Sequence, residues 1–289
     1  MQIAAYRLPV SALDKLPGTE RNLLLAVMMA HNELSILNRL LLFSIKETCD
    51  DTIGQISHSM QIFFVLKLVA GKLNETWKII QKHYVSKLDA KYDAILEPPA
   101  KSAYTKLSTY FDQKNKHNVI KFLRNNAGFH YSGFDYGKSL KDLADGEDKI
   151  YLAQHPANSV YYIGEAANWR SLMLLLRDTI ALDEVHDVIE GTPAAAAIEA
   201  HLENSVDVDY RRGFNVVNRH ISYINFEMHL FLYGVISITI ERALGKNWHV
   251  AEREMINIMG APNPYDVALP TFVDMDAAKA QGNEAHGSG

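Results

Sequence analysis

Residues 121–131, KFLRNNAGFHY, set Arg124, Asn125, Asn126 and His130 at the end of an apolar, helix-forming run. Arginine stays charged and presents a planar fork of donors that matches phosphate oxygens. Neutral imidazole can take a proton from a hydroxyl, and its charged form can return one to a leaving oxygen. Together these groups suit one reaction, the attack of an RNA 2′-hydroxyl on its own adjacent phosphodiester. His130 would move the protons and Arg124 would stabilise the crowded phosphorane oxygens. Asn125 would orient the imidazole or hold a non-bridging oxygen. The products would be a 2′,3′-cyclic phosphate and a 5′-hydroxyl, and the scheme calls for no metal or cofactor. The same residues also suit a plain helix C-terminus, where cations favour the dipole and Asn or Gly ends the helix.

The spacing constrains the local structure. On a continuous helix, residues six apart point roughly 120° away from each other. The two asparagines and Gly128 favour a bend or a stop, so Arg124 would occupy the last regular turn with His130 swung back below it. A second copy from a dimer partner could complete such a site.

The elements that must position this turn are helical. Residues 1–18 read as a loop. Thr19 is placed to cap a helix reaching about Lys46, with Leu23, Leu24, Val27, Met28, Leu34, Leu37, Leu41 and Leu42 at three- and four-residue steps. Asp51 or Thr52 would cap a second long helix to about Tyr92, its stripe running Ile56, Met60, Phe63, Phe64, Leu68, Leu73, Trp77 and Ile80. LEPPAK stops that helix, because proline cannot continue one. A helix over about 100–112 follows, and then the one that delivers Arg124. Two long and two shorter helices of this kind predict an antiparallel bundle.

Beyond Tyr131 the texture changes. KIYLAQ and SVYYIGE alternate and carry aromatic and β-branched residues, which fits either a small hairpin or irregular loop. Helices are expected over 166–190, from Pro193 onward, and from about Val208 to Leu244. The chain therefore divides into a bundle over 1–135, a second mostly helical region over 136–260 and an extended or disordered tail over 261–289.

Composition limits the alternatives. With one cysteine, Cys49, among 289 residues, an intrachain disulfide and a Cys-rich zinc site are both excluded. That usage fits a reducing, cytoplasmic setting. No basic segment followed by a long apolar run marks the N-terminus, so no secretory signal is expected. FEMHLFLYGVISITIERAL comes nearest to a membrane span, but Glu227, His229 and Glu241 favour a buried helix and no membrane partner. Residues 1–130 hold 17 Lys/Arg against 11 Asp/Glu, and the remainder 12 against 23, so the basic half permits a nucleic-acid partner. Asp183 with His186, Glu199 with His201 and Glu227 with His229 lack the three-residue Glu–His spacing on two helices that a di-iron bundle requires.

The Arg124-Asn125…His130 pattern resembles the HEPN superfamily, whose helical bundles carry an arginine, a polar residue and then a histidine four to six residues on. The resemblance covers about residues 18–135. It implies a metal-independent endoribonuclease of the toxin–antitoxin or phage-defence kind, working as a homodimer with two motifs lining one cleft, and held in check by an antitoxin or other regulatory protein. By that resemblance Arg124 and His130 are the catalytic pair and Asn125 supports them, with Asn126 and Tyr131 alongside. Some members carry a modifiable tyrosine two places after the histidine; here Ser132 stands there, and Tyr131 follows His130 directly. In related bundles an acid of the first long helix approaches the pair, and Glu33 would fill that place by pairing with Arg124.

Arg211, Arg212 and Arg219, interleaved with aromatics in YRRGFNVVNRHISYINF, are candidates for holding single-stranded RNA by charge and stacking. A core helix with polar flanks accounts for the same residues. The expectation is therefore an all-α protein that cleaves RNA. The alternative is a non-catalytic helical module that binds RNA or protein.

Overall fold

The computed structural model describes residues 2–44, 51–115, 118–128, 136–141, 143, 149–154, 156–179, 208–245 and 253–258. Its elements are β1 (Gln2–Tyr6), α1 (Val10–Leu13), α2 (Gly18–Phe43), α3 (Thr52–Ile80), α4 (Asp89–Asp93), α5 (Pro98–Tyr110), α6 (Val119–Leu123), α7 (Tyr136–Lys141), α8 (Tyr162–Thr179), α9 (Val208–Leu244) and β2 (Arg253–Asn257). Among the described residues the fold is helical, with one two-stranded antiparallel sheet. The helix expected from Pro193, the tail over 261–289 and Cys49 lie outside the described residues.

Local chemistry sets most of the boundaries. Asp51 caps α3 by accepting a hydrogen bond from the Gly54 N–H at 2.8 Å. The expected Thr19 cap is not used, because α2 begins one residue earlier, after Pro17, without a side-chain cap. Pro98 and Pro99 open α5 rather than merely precede it, since the first turn of a helix needs no proline N–H. Helix α9 ends at Gly245, whose φ of 68° is the left-handed conformation glycine adopts easily.

Most of the helices share one hydrophobic core, and a smaller cluster of Ala12, Leu16, Leu24 and Ala243 holds α1. Leu23, Val27, Leu34, Leu66, Leu73, Ile80, Leu107 and Ile120 meet Val217, Ile221, Ile224, Phe231 and Leu232 within the shared core, all of them buried. That core spans the boundary expected at residue 135, because α9 packs against α2, α3, α5 and α6. Glu20 meets Arg242, His31 meets His229 and Asn38 meets Asn225, so α2 and α9 run antiparallel. Lys106–Glu227 and Tyr110–His220 fix the same sense between α5 and α9. Phe64, placed on the core stripe of α3 by periodicity, is instead 54% exposed.

Two segments differ from their expected state. The loop expected over 1–18 contains β1, which pairs with β2 in the register Gln2↔Asn257 to Tyr6↔Arg253, and the short helix α1. The hairpin considered over 149–165 is reduced to one bridge, in which Tyr151 and Val160 exchange two 2.7 Å hydrogen bonds. Tyr162 already begins α8. Two stretches, Thr52–Val85 and Val216–Leu244, are long and apolar enough to cross a membrane; both also contribute buried side chains to the core of the bundle.

Candidate functional site

The turn that begins at Arg124 is anchored from below. Asn118 caps α6 by accepting from the Lys121 N–H at 2.8 Å, and its amide donates to the Tyr110 carbonyl at 3.2 Å. Val119, Ile120, Phe122 and Leu123 are buried, which clamps this one-turn helix to the core. At Arg124 the helix widens into a π-helical turn that runs to Gly128. The Asn126 side chain donates to the Phe122 carbonyl at 2.9 Å. Widened turns of this kind re-aim side chains and are frequent at functional sites.

The Arg124 guanidinium is half-buried and has two neighbours. Its Nη1 donates to Asn125 Oδ1 at 3.0 Å, and its Nη2 lies 3.4 Å from Glu75 Oε1 on α3. Glu75 also accepts a 2.7 Å hydrogen bond from Lys78. That bond, with the charges of Lys78 and Arg124, outweighs partial burial and holds the Glu75 carboxyl below its ordinary range. Asn125, expected to orient the imidazole or hold a phosphate oxygen, here accepts from its neighbour Arg124. His130 and Tyr131 lie outside the described residues.

The acid expected to hold Arg124 is a different one. Glu33 of α2 forms an ion pair with Lys72 of α3. Lys72 sits one helical turn before Glu75 on α3, so the Glu33–Lys72 and Glu75–Arg124 pairs lie one turn apart on that helix. Arg211 and Arg212 fall within α9, but their side chains lie outside the described residues. Arg219 is half-buried on α9. The aromatics near it are largely structural: Phe214 is buried beside Trp169, and Tyr223 stands 5.7 Å from the Lys106 ammonium. Buried His220 bonds the Tyr110 hydroxyl at 3.0 Å, which gives that imidazole a packing role.

Three polar clusters inside the bundle were not singled out from the sequence. Glu20 is buried and holds Arg242 at 2.7 Å, together with Lys91 and, at 3.4 Å, the Tyr92 hydroxyl. Burial pushes this carboxyl up, but the hydrogen bonds and charges of Arg242 and Lys91 prevail and hold it below its ordinary value. Lys67 is 5% exposed, with its ammonium 4.7 Å above the Phe63 ring and 3.9 Å from Glu165 of α8. Burial lowers the lysine and raises Glu165. His31 and His229 meet edge to face across α2 and α9, with centroids 4.8 Å apart. Neither mixed charge nor facing imidazoles leave a periodic signal, which is why the sequence did not disclose them.

A hollow of about 710 Å³ opens at the start of α3, lined by Asp51, Thr52, Ile53, Tyr151, Leu152 and Asn158. Glu75 lies 23 residues beyond Thr52, or about 34 Å along the helix axis, so this hollow and the Arg124 turn are separate places. Among the described residues, no three His, Cys, Asp or Glu side chains gather as a metal site would require. The chain matches no protein-family model, no curated protein and no solved structure.

Proposed function

We propose that the chain is an endoribonuclease of the HEPN type that cleaves RNA by 2′-hydroxyl attack, with Arg124, Asn125 and His130 as its working residues. The observation that supports this reading is the geometry at Arg124. A half-exposed guanidinium opens a π-helical turn, braced by Asn125, six residues before the histidine. Among the described residues its ion pair is with an exposed carboxylate, and surface pairs of that kind contribute about 0–1 kcal/mol, so a phosphodiester can displace Glu75. His130 acts as base and then acid, and Arg124 holds the phosphorane oxygens. The biological setting that fits is a cytoplasmic toxin or defence effector restrained by a partner protein.

The test is RNA cleavage in EDTA by the wild type, His130→Ala and Arg124→Ala. Cleavage with 2′,3′-cyclic phosphate ends, lost in both variants, is the expected result. Equal cleavage by all three proteins would sink the assignment.

A second reading has its own support. The Arg124–Glu75 pair satisfies the guanidinium within the molecule, which fits a helical module that binds RNA or protein without cutting it. Under that reading no protein cleaves, and Glu75→Gln raises RNA affinity by up to about 5-fold, the worth of a lost surface pair. RNA affinity unchanged by both Glu75→Gln and Arg124→Ala would remove the turn from any RNA site.

A further inference from the structure

We propose that His31 of α2 and His229 of α9 form a site for a divalent transition-metal ion of the zinc type, held between the two helices. This inference does not rest on the nuclease reading, whose chemistry uses no metal. It begins with an unmet chemical demand. A neutral imidazole has one N–H to donate and one lone pair to offer, and inside a protein these are normally used. His220 meets the Tyr110 hydroxyl in this way. His31 and His229 face each other across the contact of α2 with α9. Yet among the described residues neither ring has a hydrogen bond, and His229 Nε2 is buried.

The separation of the rings suits one shared ion. With a metal–nitrogen bond of about 2.0–2.1 Å and a ring nitrogen about 1.1 Å from its centroid, a coordinated ion stands about 3.2 Å from each centroid. Centroids 4.8 Å apart then subtend roughly 100° at the ion, between the square-planar and tetrahedral angles and far from the straight line of a two-coordinate site. The rings stand at 85°, and turning them about their Cβ–Cγ bonds aims both lone pairs at one point. That torsion is broad, and there is no hydrogen bond for the turn to break. Burial lowers the pKa of His31, and burial together with His31 lowers that of His229 to about 4. Both rings are therefore neutral at neutral pH, the form that ligates a metal.

Asn225 supplies a third donor. It stands four residues before His229 on α9, the spacing at which two side chains on one face of a helix reach one ion. Its amide nitrogen donates to Asn38 of α2 at 3.3 Å, and its Oδ1 is buried without a partner. Among the described residues no further His, Cys, Asp or Glu makes the pair a trio, so water completes the set. Two imidazoles, one amide oxygen and water form an open site, unlike the closed four-ligand centre of a structural zinc. Imidazole donors suit zinc, copper and nickel, whereas magnesium and calcium take oxygen ligands. His31 and His229 are both partly exposed, so the ion has a path from solvent.

The test uses the full chain, stripped of metal with EDTA and dialysed. Zn²⁺ affinity is read by competition with a chromophoric chelator, and Co²⁺ serves as the spectroscopic probe. The wild type should bind one Zn²⁺ and, with Co²⁺, show visible d–d bands. His31→Gln and His229→Gln should each weaken Zn²⁺ at least about 100-fold, because losing even an outer partner of a ligand costs about 10–100-fold. Both should lose the Co²⁺ bands. His83→Gln, at a histidine outside the pair, should leave the affinity as it is. Asn225→Asp puts an anionic oxygen in place of a neutral one and should tighten Zn²⁺ by about 10-fold, a gain that a misfolded variant could not show. Zn²⁺ should also raise the thermal midpoint of the wild type and not that of His229→Gln. A wild type that binds no Zn²⁺ overturns the proposal. So does binding that survives both His31→Gln and His229→Gln, which places the ion on other histidines, or an Asn225→Asp variant that binds no more tightly than the wild type.

Discussion

The His31–His229 contact makes acid sensitivity a quantitative prediction. The two rings meet at 85° with centroids 4.8 Å apart, and His229 Nε2 has no hydrogen-bond partner among the described residues. Burial, and then the nearby His31, lower the His229 pKa from 6.5 to about 4. A histidine depressed in the fold binds its proton more readily in the unfolded chain. Stability is therefore unaffected well above pH 6.5 and falls as pH drops from there toward 4. For one group with these two values, the loss between pH 7.5 and pH 5.0 is about 2 kcal/mol. Burial lowers His31 as well, which adds to the loss in the same direction. Glu20, lowered from 4.5, contributes little above pH 5. The assay is urea unfolding at both pH values and fixed ionic strength, on the wild type and His229→Gln. Glu165, which burial raises, opposes this loss equally in both proteins, so the wild type should lose about 2 kcal/mol more than the variant. A variant that loses as much as the wild type would refute the assignment of this contact as a buried neutral pair.

Three further outcomes follow from the packing. A Cβ added at Gly234 would stand 2.4 Å from the Cβ of Ala100, so Gly234→Ala should lower stability by about 1–3 kcal/mol despite its better helix propensity. Adding Ala100→Gly should recover most of that loss in a double-mutant cycle of chemical denaturation; simple additivity would mean the two helices are not in that contact. Glu20→Gln should cost about 2–3 kcal/mol at pH 7, below the usual range for a broken buried pair because Arg242 and Lys91 are partly exposed and can turn to water. Its folded pKa is lowered, so that deficit should shrink as pH falls below 4.5, and a deficit constant down to pH 3 in thermal melts would contradict it. Replacing both partners, Lys67→Met with Glu165→Leu, should be neutral or stabilising, because the 3.9 Å gap is too long for a hydrogen bond that would offset burial of the two charges. Glu165→Gln alone leaves the ammonium unpaired and should destabilise more than the double variant; the reverse order in urea midpoints would show that the pair is a net stabiliser.

The long helices were legible because their signals are local, although α3 ends at Ile80, short of the Tyr92 expected, and α1 was read as loop. The span of α9 was readable from the apolar period closed by Gly245, and the start of α3 from Asp51. A departure from the regular helix at Arg124 was readable from two asparagines and a glycine, although its form, a π-helical turn with Asn126 on the Phe122 carbonyl, was not, and the expected swing of His130 lies outside the described residues. Pairings between elements were the illegible part. β1 joins β2 across some 250 residues, and neither five-residue strand alternates strongly enough to declare a partner. Glu33 and Glu75 are both acids on helices beside the arginine, and only the azimuth of α2 against α3 decides that Lys72 takes the first and Arg124 the second.

The same limit applies to α2 as a whole, and there it has a consequence. Leu23, Val27 and Leu34 define one apolar stripe, while Leu25, Met29, Ile36 and Leu40 define another on the opposite side. Periodicity cannot rank two such stripes, since each satisfies the helical repeat. A helix apolar on both faces belongs in the middle of a core, yet α2 lies at the edge of this one and has its second stripe in solvent. Helix propensity does not require those residues, because Lys, Glu or Gln would serve an exposed helical position nearly as well as leucine. Which stripe enters the core is decided by the packing of α3 and α9 against one side of α2, a relation between elements that the sequence of α2 alone does not carry.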